Sequence, residues 1–367
     1  MKAPVNAAIG TVPPAGRELI DGLMVALDAL PDVSVVGLET DHVSAPGARV
    51  DAVLDMRALG RPARLVVEAK SQGYPRDLLG AVHQLRHYTA LARGPSLTPM
   101  IVANALSPGS REVLRREGIG YWDRSGSLYL KLPWALFYVD RPQPPAAMRQ
   151  LRSLYRGSAA QVVHALLLEP ARPWHVQELA ARAEVSVSRA HAVLTQLEQH
   201  LWVEKRGKGP AAVRALVDPG ALLDSWADVH SLQEYAVRPY YGWSQSPLSL
   251  RSTLAGVLER HQIPYALTLA SGAELIAPFI TGNARMTALA QDHPALGQAT
   301  EEAGLAPVED GENVALLVTR QRAPLLFRQA IDSLQVASTV QLYVDLWASP
   351  GRGKEQARHL RAERLPY

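Results

Sequence analysis

Two carboxylates and an ammonium group interrupt otherwise apolar segments: Asp51 in Val50-Asp51-Ala52-Val53-Leu54-Asp55, and Glu68 with Lys70 in Arg64-Leu65-Val66-Val67-Glu68-Ala69-Lys70. Charge in such a setting is costly unless something compensates it. A divalent cation held by Asp51, Glu68 and the carbonyl of Ala69 would do so, with Lys70 aligning or deprotonating a water on that cation. The plainer alternative is a salt bridge at a solvated strand end. Positioning these groups requires a hairpin. Both runs are rich in Val and Leu, and Leu59-Gly60-Arg61-Pro62 between them breaks any helical period, so two antiparallel strands joined by a short turn are predicted. Glu68 and Lys70 then share one face, and the fold-back sets Asp51 opposite them. Asp55 is predicted further up the hairpin, beside Val66.

After Pro75, the stretch from Asp77 to Leu91 has helical apolar spacing, and Gln84 and Tyr88, four residues apart, lie on one of its faces. An Asp, then Glu-x-Lys at a strand end, then Gln-x-x-x-Tyr on the next helix resembles the PD-(D/E)XK superfamily of restriction-endonuclease-like nucleases. The resemblance implies that Asp51 and Glu68 bind Mg2+ (or Mn2+), that Lys70 is catalytic, and that Gln84 and Tyr88 brace the site and contact nucleic acid. Glu18, on the predicted first helix, is the counterpart of an extra acidic residue found in many members, or else an ordinary surface glutamate.

The chain has 367 residues, 47% of them hydrophobic and 20% charged, with a net charge of +3. That length exceeds what one core usually serves, so two or three domains are expected. The mild basicity permits an anionic partner without demanding one. With no Cys at all, disulfides, thiolate metal sites and a Cys nucleophile are excluded. The first ten residues lack the apolar core of a signal peptide, and no later run reaches membrane-spanning length, so a cytoplasmic protein with no membrane association is expected.

In order, a helix over residues 16–30, a strand at 33–39, the hairpin, the Gln84 helix, an apolar strand at 99–104, a helix from Ser107 and a strand turn around 121–130 form an α/β layer with a mixed sheet. Arg141-Pro142-Gln143-Pro144-Pro145 reads as a stiff break closing a first domain, 1–145. The next segment, 150–228, reads as a winged helix-turn-helix: helices at 158–168 and 177–182, a turn at Glu184-Val185, a helix capped by Ser186, and a Gly-tipped hairpin from Trp202 to Val217. In that fold the third helix enters the major groove of double-stranded DNA with Ser188, Arg189, His191, Ala192 and Thr195, while Lys205, Arg206 and Lys208 on the wing meet phosphates. Nine Lys and Arg against five acids between 151 and 216 give a surplus of four positive charges. Winged helices also serve as protein-docking modules, which is the alternative here.

Residues 229–367 read as a third, α/β-type domain. Its aromatic and basic start, Tyr235 to Trp243, suits either base stacking or packing at a domain joint. Gly351-Arg352-Gly353-Lys354 lacks the preceding spaced Gly of a phosphate loop and is read as a turn into a helix. Together with the winged segment, Tyr265-Ala266-Leu267-Thr268, Ala277-Pro278, Gly311-Glu312-Asn313-Val314, Gln341-Leu342-Tyr343-Val344-Asp345-Leu346 and Pro350-Gly351-Arg352-Gly353 resemble the AbiEi family of type IV toxin-antitoxin antitoxins. That resemblance implies a DNA-binding autorepressor with a nucleotidyltransferase-type toxin as partner; a dimer is compatible with it and not required by it. The expected whole is an α/β multidomain chain: a restriction-endonuclease-like mixed sheet, a central winged helix-turn-helix and a C-terminal α/β domain. Its expected function is that of an AbiEi-type DNA-binding transcriptional regulator carrying a nuclease-fold domain. A Mg-dependent DNA nuclease of restriction or phage-defence type, targeted by the winged helix, is the alternative.

Overall fold

A computed structural model of the chain describes residues 14–45, 48–92, 97–142, 145–244, 246–279 and 285–367. The first ten residues, expected to carry no signal peptide, and Gln143-Pro144 of the expected linker lie outside these. The chain divides into two compact units, one holding residues up to Arg149 together with Gln199–Leu201, the other Gln150–Glu198 and Trp202–Tyr367. Among the described residues no helix is long and apolar enough to cross a membrane.

The first unit begins with helix α1 (Pro14–Asp28), whose Leu19, Ile20, Leu23 and Leu27 form a single buried stripe. Strands β1 (Val33–Ala45), β2 (Ala48–Ala58) and β3 (Arg61–Lys70) follow, then α2 (Pro75–Leu91), β4 (Leu97–Ala103), α3 (Pro108–Arg116), β5 (Gly120–Asp123), β6 (Leu128–Leu132) and β7 (Ala135–Val139). The seven strands lie side by side in chain order. β3, β4 and β5 run parallel, connected through α2 and α3, and the remaining neighbours are antiparallel. Strand β7 adds one strand to the expected order. Pro108 takes the first turn of α3 behind Ser107, whose side chain accepts from the Ser110 N–H as its cap.

The β2–β3 turn consists of Leu59 and Gly60 alone, both with positive φ (53° and 74°). Such mirror-image turns match the twist of the strands they join, and Gly60 adopts its half without steric cost. A two-residue turn leaves no latitude in register: Ala58 pairs Arg61 and Ala52 pairs Val67. α1 packs against the sheet face carrying Ala52, Leu54, Leu65, Val67 and Met100, and α2 and α3 against the face carrying Val53, Val66, Ile101 and Tyr121. The sheet is therefore covered on both sides, which is why β4 is almost wholly apolar.

Helix α4 (Pro145–Leu154) opens at the very Pro that was expected to end a linker. The second unit then comprises α5 (Gly157–Leu168), α6 (Val176–Arg182), α7 (Val187–Gln199) and the hairpin β8 (Val203–Arg206) and β9 (Val213–Leu216). It continues with α8 (Pro219–Val229), β10 (Ala236–Gly242), α9 (Pro247–Arg260), β11 (Tyr265–Leu267), α10 (Leu269–Ile276), β12 (Met286–Gln291), α11 (Leu296–Glu302), β13 (Leu305–Pro307), β14 (Val314–Thr319), α12 (Ala323–Leu326), β15 (Gln329–Ile331), β16 (Leu334–Val336), α13 (Thr339–Ala348) and α14 (Gly353–Arg364). Its main sheet has the order β13-β10-β14-β12-β11-β16-β15. The helix-turn-helix segment and this α/β layer share one continuous apolar core. α5 explains why: every residue from Ala159 to Leu167 is buried, so this helix is wrapped on all sides. Gly351, at φ 67°, turns the chain into α14, as read from its Gly-Arg-Gly.

Candidate active site and nucleic-acid interface

At the Lys70 end of β3, continuing the register past Ala52 and Val67 sets Asp51 beside Glu68. Asp51 Oδ2 accepts from the main-chain N–H of Ala69 at 2.8 Å, which fixes that carboxylate against the strand. Glu68 is 1% exposed. Its Oε2 lies 3.2 Å from Lys70 Nζ, and its Oε1 accepts from Gln84 Nε2 at 2.6 Å. The same Gln84 amide also donates to the carbonyl of Arg49 at 2.9 Å, so α2 holds the rotamer of Glu68 from above the sheet. Burial, and after it the neighbouring Asp51 carboxylate, push the Glu68 carboxyl up to about 7, against the pull of Lys70. Two acids thus face one ammonium, and the deficit of positive charge falls on the buried member.

That donor set fits a hard divalent cation. Carboxylate and carbonyl oxygens suit Mg2+ or Mn2+, and added positive charge would relieve Glu68. Asp51 and Glu68 would hold the ion, with the Ala69 carbonyl beside them. Among the described residues no three His, Asp or Glu side chains gather into a full cage, so its remaining ligands would be water or substrate oxygens.

Tyr88, one helical turn beyond Gln84, directs its hydroxyl to His42 Nδ1 at 2.6 Å, and His42 Nε2 lies 3.2 Å from Glu39 Oε2. One neutral tautomer satisfies both contacts, with Tyr88 donating to Nδ1 and Nε2 donating to Glu39. His42 was missed in the sequence because β1 was expected to stop at Glu39. The strand runs on through Thr40-Asp41-His42, and only the length of β2, its partner, could have signalled that. Asp55 does not lie beside Val66: the two-residue turn pairs it with Arg64, which grips it through two hydrogen bonds of 2.7 and 2.8 Å. Arg64 accordingly holds the Asp55 carboxyl below its ordinary range. Glu18 is exposed and pairs with Arg124 at 2.6 Å.

In the second unit, Ala190, Val193, Leu194 and Leu197 of α7 face inward. The opposite face, Ser188, Arg189, His191, Ala192 and Thr195, is exposed. Ser186 caps the helix by accepting from the Arg189 N–H at 3.2 Å, and Arg189 Nε donates to Ser158 Oγ of α5 at 3.1 Å. The turn between α6 and α7 passes through Glu184 at φ 51°, and Glu184 is ion-paired to Arg322. The β8–β9 hairpin, expected as a wing, is held by paired main-chain hydrogen bonds between Trp174 and Arg214 and by the nearly buried ion pair of Arg214 with Glu198. Lys205, Arg206 and Lys208 are exposed on it, Arg206 being paired with Glu204. Of the aromatic run after α8, Tyr235 and Tyr240 are buried, whereas Tyr241 and Trp243 are exposed. Compared with known proteins, the chain matches no family model, no curated protein and no solved structure.

Proposed function

We propose that this chain is a DNA-binding transcriptional regulator of AbiEi antitoxin type that carries a restriction-endonuclease-like domain. The observation that supports it is the solvent face of α7, where Ser188, Arg189, His191 and Thr195 stand free of the core beside a wing bearing Lys205, Arg206 and Lys208. A helix of this kind reads base edges with its N-terminal turns, and the wing cations supply sequence-independent attraction to phosphate. A nucleotidyltransferase-type toxin is the protein partner this reading brings with it. The test is fluorescence anisotropy on the duplex upstream of the chain's own coding sequence against a scrambled duplex. Arg189→Ala is expected to cost ~1–3 kcal/mol on the upstream duplex only, whereas Lys208→Ala weakens both duplexes and lowers the salt slope by about 1. Equal affinity of the wild type for both duplexes would count against regulation.

A second reading, a metal-dependent DNA nuclease, is favoured by the meeting of Asp51, Glu68, Lys70 and Gln84 at one strand end. When bound, Mg2+ or Mn2+ would polarise a phosphodiester and neutralise charge developing on it. The Lys70 ammonium, about a third exposed, would reach a phosphate oxygen from the same side, and Gln84 would keep Glu68 from turning away. Tyr88, braced by His42, would stiffen α2 above the site. Incubation of linear duplex and single-stranded DNA with Mg2+ or Mn2+ tests this: cleavage is expected from the wild type and none from Lys70→Ala or Glu68→Gln. Intact DNA in every tube removes the enzyme reading and leaves the regulator untouched.

A further inference from the structure

Between α8, α13 and α14 lies a surface cleft of about 700 Å³, a volume typical of small-molecule sites. Its floor is aromatic. Tyr343 and Trp347 stack with ring centres 5.7 Å apart, and Trp347 keeps part of its surface open. Cations crowd this floor: Lys354 Nζ sits 5.2 Å and the Arg358 guanidinium 5.7 Å from the Trp347 ring centre.

The wall groups fall into two classes. Arg361 is committed to the fold, donating to Asp224 at 2.5 Å, to the Tyr343 hydroxyl at 3.3 Å and to the Tyr367 carbonyl at 2.7 Å. That leaves Asp224 occupied as well. Asp228, one turn further along α8 and lining the same cleft, makes no hydrogen bond among the described residues but feels the attraction of Lys354 and the repulsion of Asp224, and Arg358 there engages the Trp347 ring. One carboxylate without a hydrogen bond, the ammonium that attracts it and a guanidinium without a carboxylate thus surround an indole.

We infer that this cleft binds a purine nucleotide and prefers guanine to adenine. A base stacked on an aromatic side chain is held whatever its identity, because every base has a π-face. The carboxylate of Asp228 supplies the choice. It is acceptor-only, and guanine offers two adjacent N–H donors on its pairing edge, whereas adenine sets a ring acceptor beside its single amino group. A base stacking on Trp347 would displace Lys354 and Arg358 from the ring, and their long stems would let the two cations hold its phosphates instead.

Isothermal titration of the full chain with GTP, GDP, ATP and inorganic pyrophosphate tests the inference. GTP and GDP are expected to bind roughly tenfold or more tighter than ATP, a difference of about 1.4 kcal/mol. Asp228→Asn, an exposed substitution on a helix surface, is expected to erase that preference while leaving pyrophosphate binding unchanged. Arg358→Gln is expected to weaken GTP and pyrophosphate alike by several-fold. Equal binding of GTP and ATP, an unchanged ratio in Asp228→Asn, or no heat from any free nucleotide would overturn it. The last includes the case in which only a guanine-containing oligonucleotide binds. None of these outcomes bears on whether α7 reads DNA.

Discussion

Glu68 and Asp345 are both carboxylates sealed from solvent, at 1% and 0% exposure, yet their surroundings are opposite in kind. Asp345, on α13, is enclosed by donors: His230 Nε2 at 2.8 Å, Gln341 Nε2 at 2.8 Å and the Tyr235 hydroxyl at 3.2 Å on one oxygen, and the Thr268 hydroxyl at 2.7 Å on the other. Glu68 has one amide and one ammonium, and a second carboxylate beside it. A charge ringed by protein donors has its solvation replaced and serves the fold. One left short and faced by a like charge keeps an appetite for an external cation. The difference separates an acid whose charge the fold satisfies from one whose charge the fold leaves short, without reference to any motif.

The widest gap between the two is expected on deletion. Asp345→Leu strips four donors of their shared acceptor, and orphaned buried polar groups cost ~1–3 kcal/mol each before relaxation. The expected loss is about 3–5 kcal/mol, read as an earlier urea midpoint of the transition belonging to the second unit. A loss below 1 kcal/mol would mean that the network is ornamental. Glu68→Gln is expected to leave stability near neutral pH unchanged or improved.

The pH dependence of Glu68 carries the next effect. Its carboxyl lies near 7 in the folded chain and near 4.5 when unfolded, so between those values the native state binds the extra proton. Stability contributed by this group is therefore full below pH 4.5 and is lost as pH rises through 7. The total is on the order of 3 kcal/mol at about 1.4 kcal/mol per unit. Denaturation midpoints between pH 5 and 8 are expected to fall for the wild type, to flatten in Glu68→Gln, and to recover at pH 8 when Mg2+ is added. An identical slope in Glu68→Gln would shift the cause to other groups.

Much of this contrast is visible in the sequence on one side only. The Glu68 site could be read because its members are close in the chain and a two-residue turn leaves the hairpin little freedom; even so, Asp55 lands opposite Arg64 and not beside Val66. Asp345 draws its partners from positions 230, 235, 268 and 341, and no local pattern announces such a gathering. The division between segments 150–228 and 229–367 was drawn from a change of motif. The all-round apolar character of α5, Val162-Val163-His164-Ala165-Leu166-Leu167 included, was the available sign that a second layer covers it. The last expected strand ends near 130, whereas the structure carries it to Leu132 and folds it back over Pro133 and Trp134 into β7.

The smallest effect concerns whether Tyr88 belongs with Glu68 at all. Its hydroxyl meets His42 of β1, an edge strand, so its first role is to tie α2 to that edge. Tyr88→Phe keeps the ring packing and removes the hydrogen bond to His42, an expected cost of about 1 kcal/mol. If tethering is the whole of its role, the pH slope assigned to Glu68 stays as it is, and any Mg2+-dependent cleavage persists near wild-type rate. Gln84→Ala frees Glu68 directly and is expected to change both. Should Tyr88→Phe instead leave stability intact and abolish cleavage, the hydroxyl acts on substrate, and the boundary of the chemical site must be moved outward from Gln84 to include the His42–Tyr88 pair.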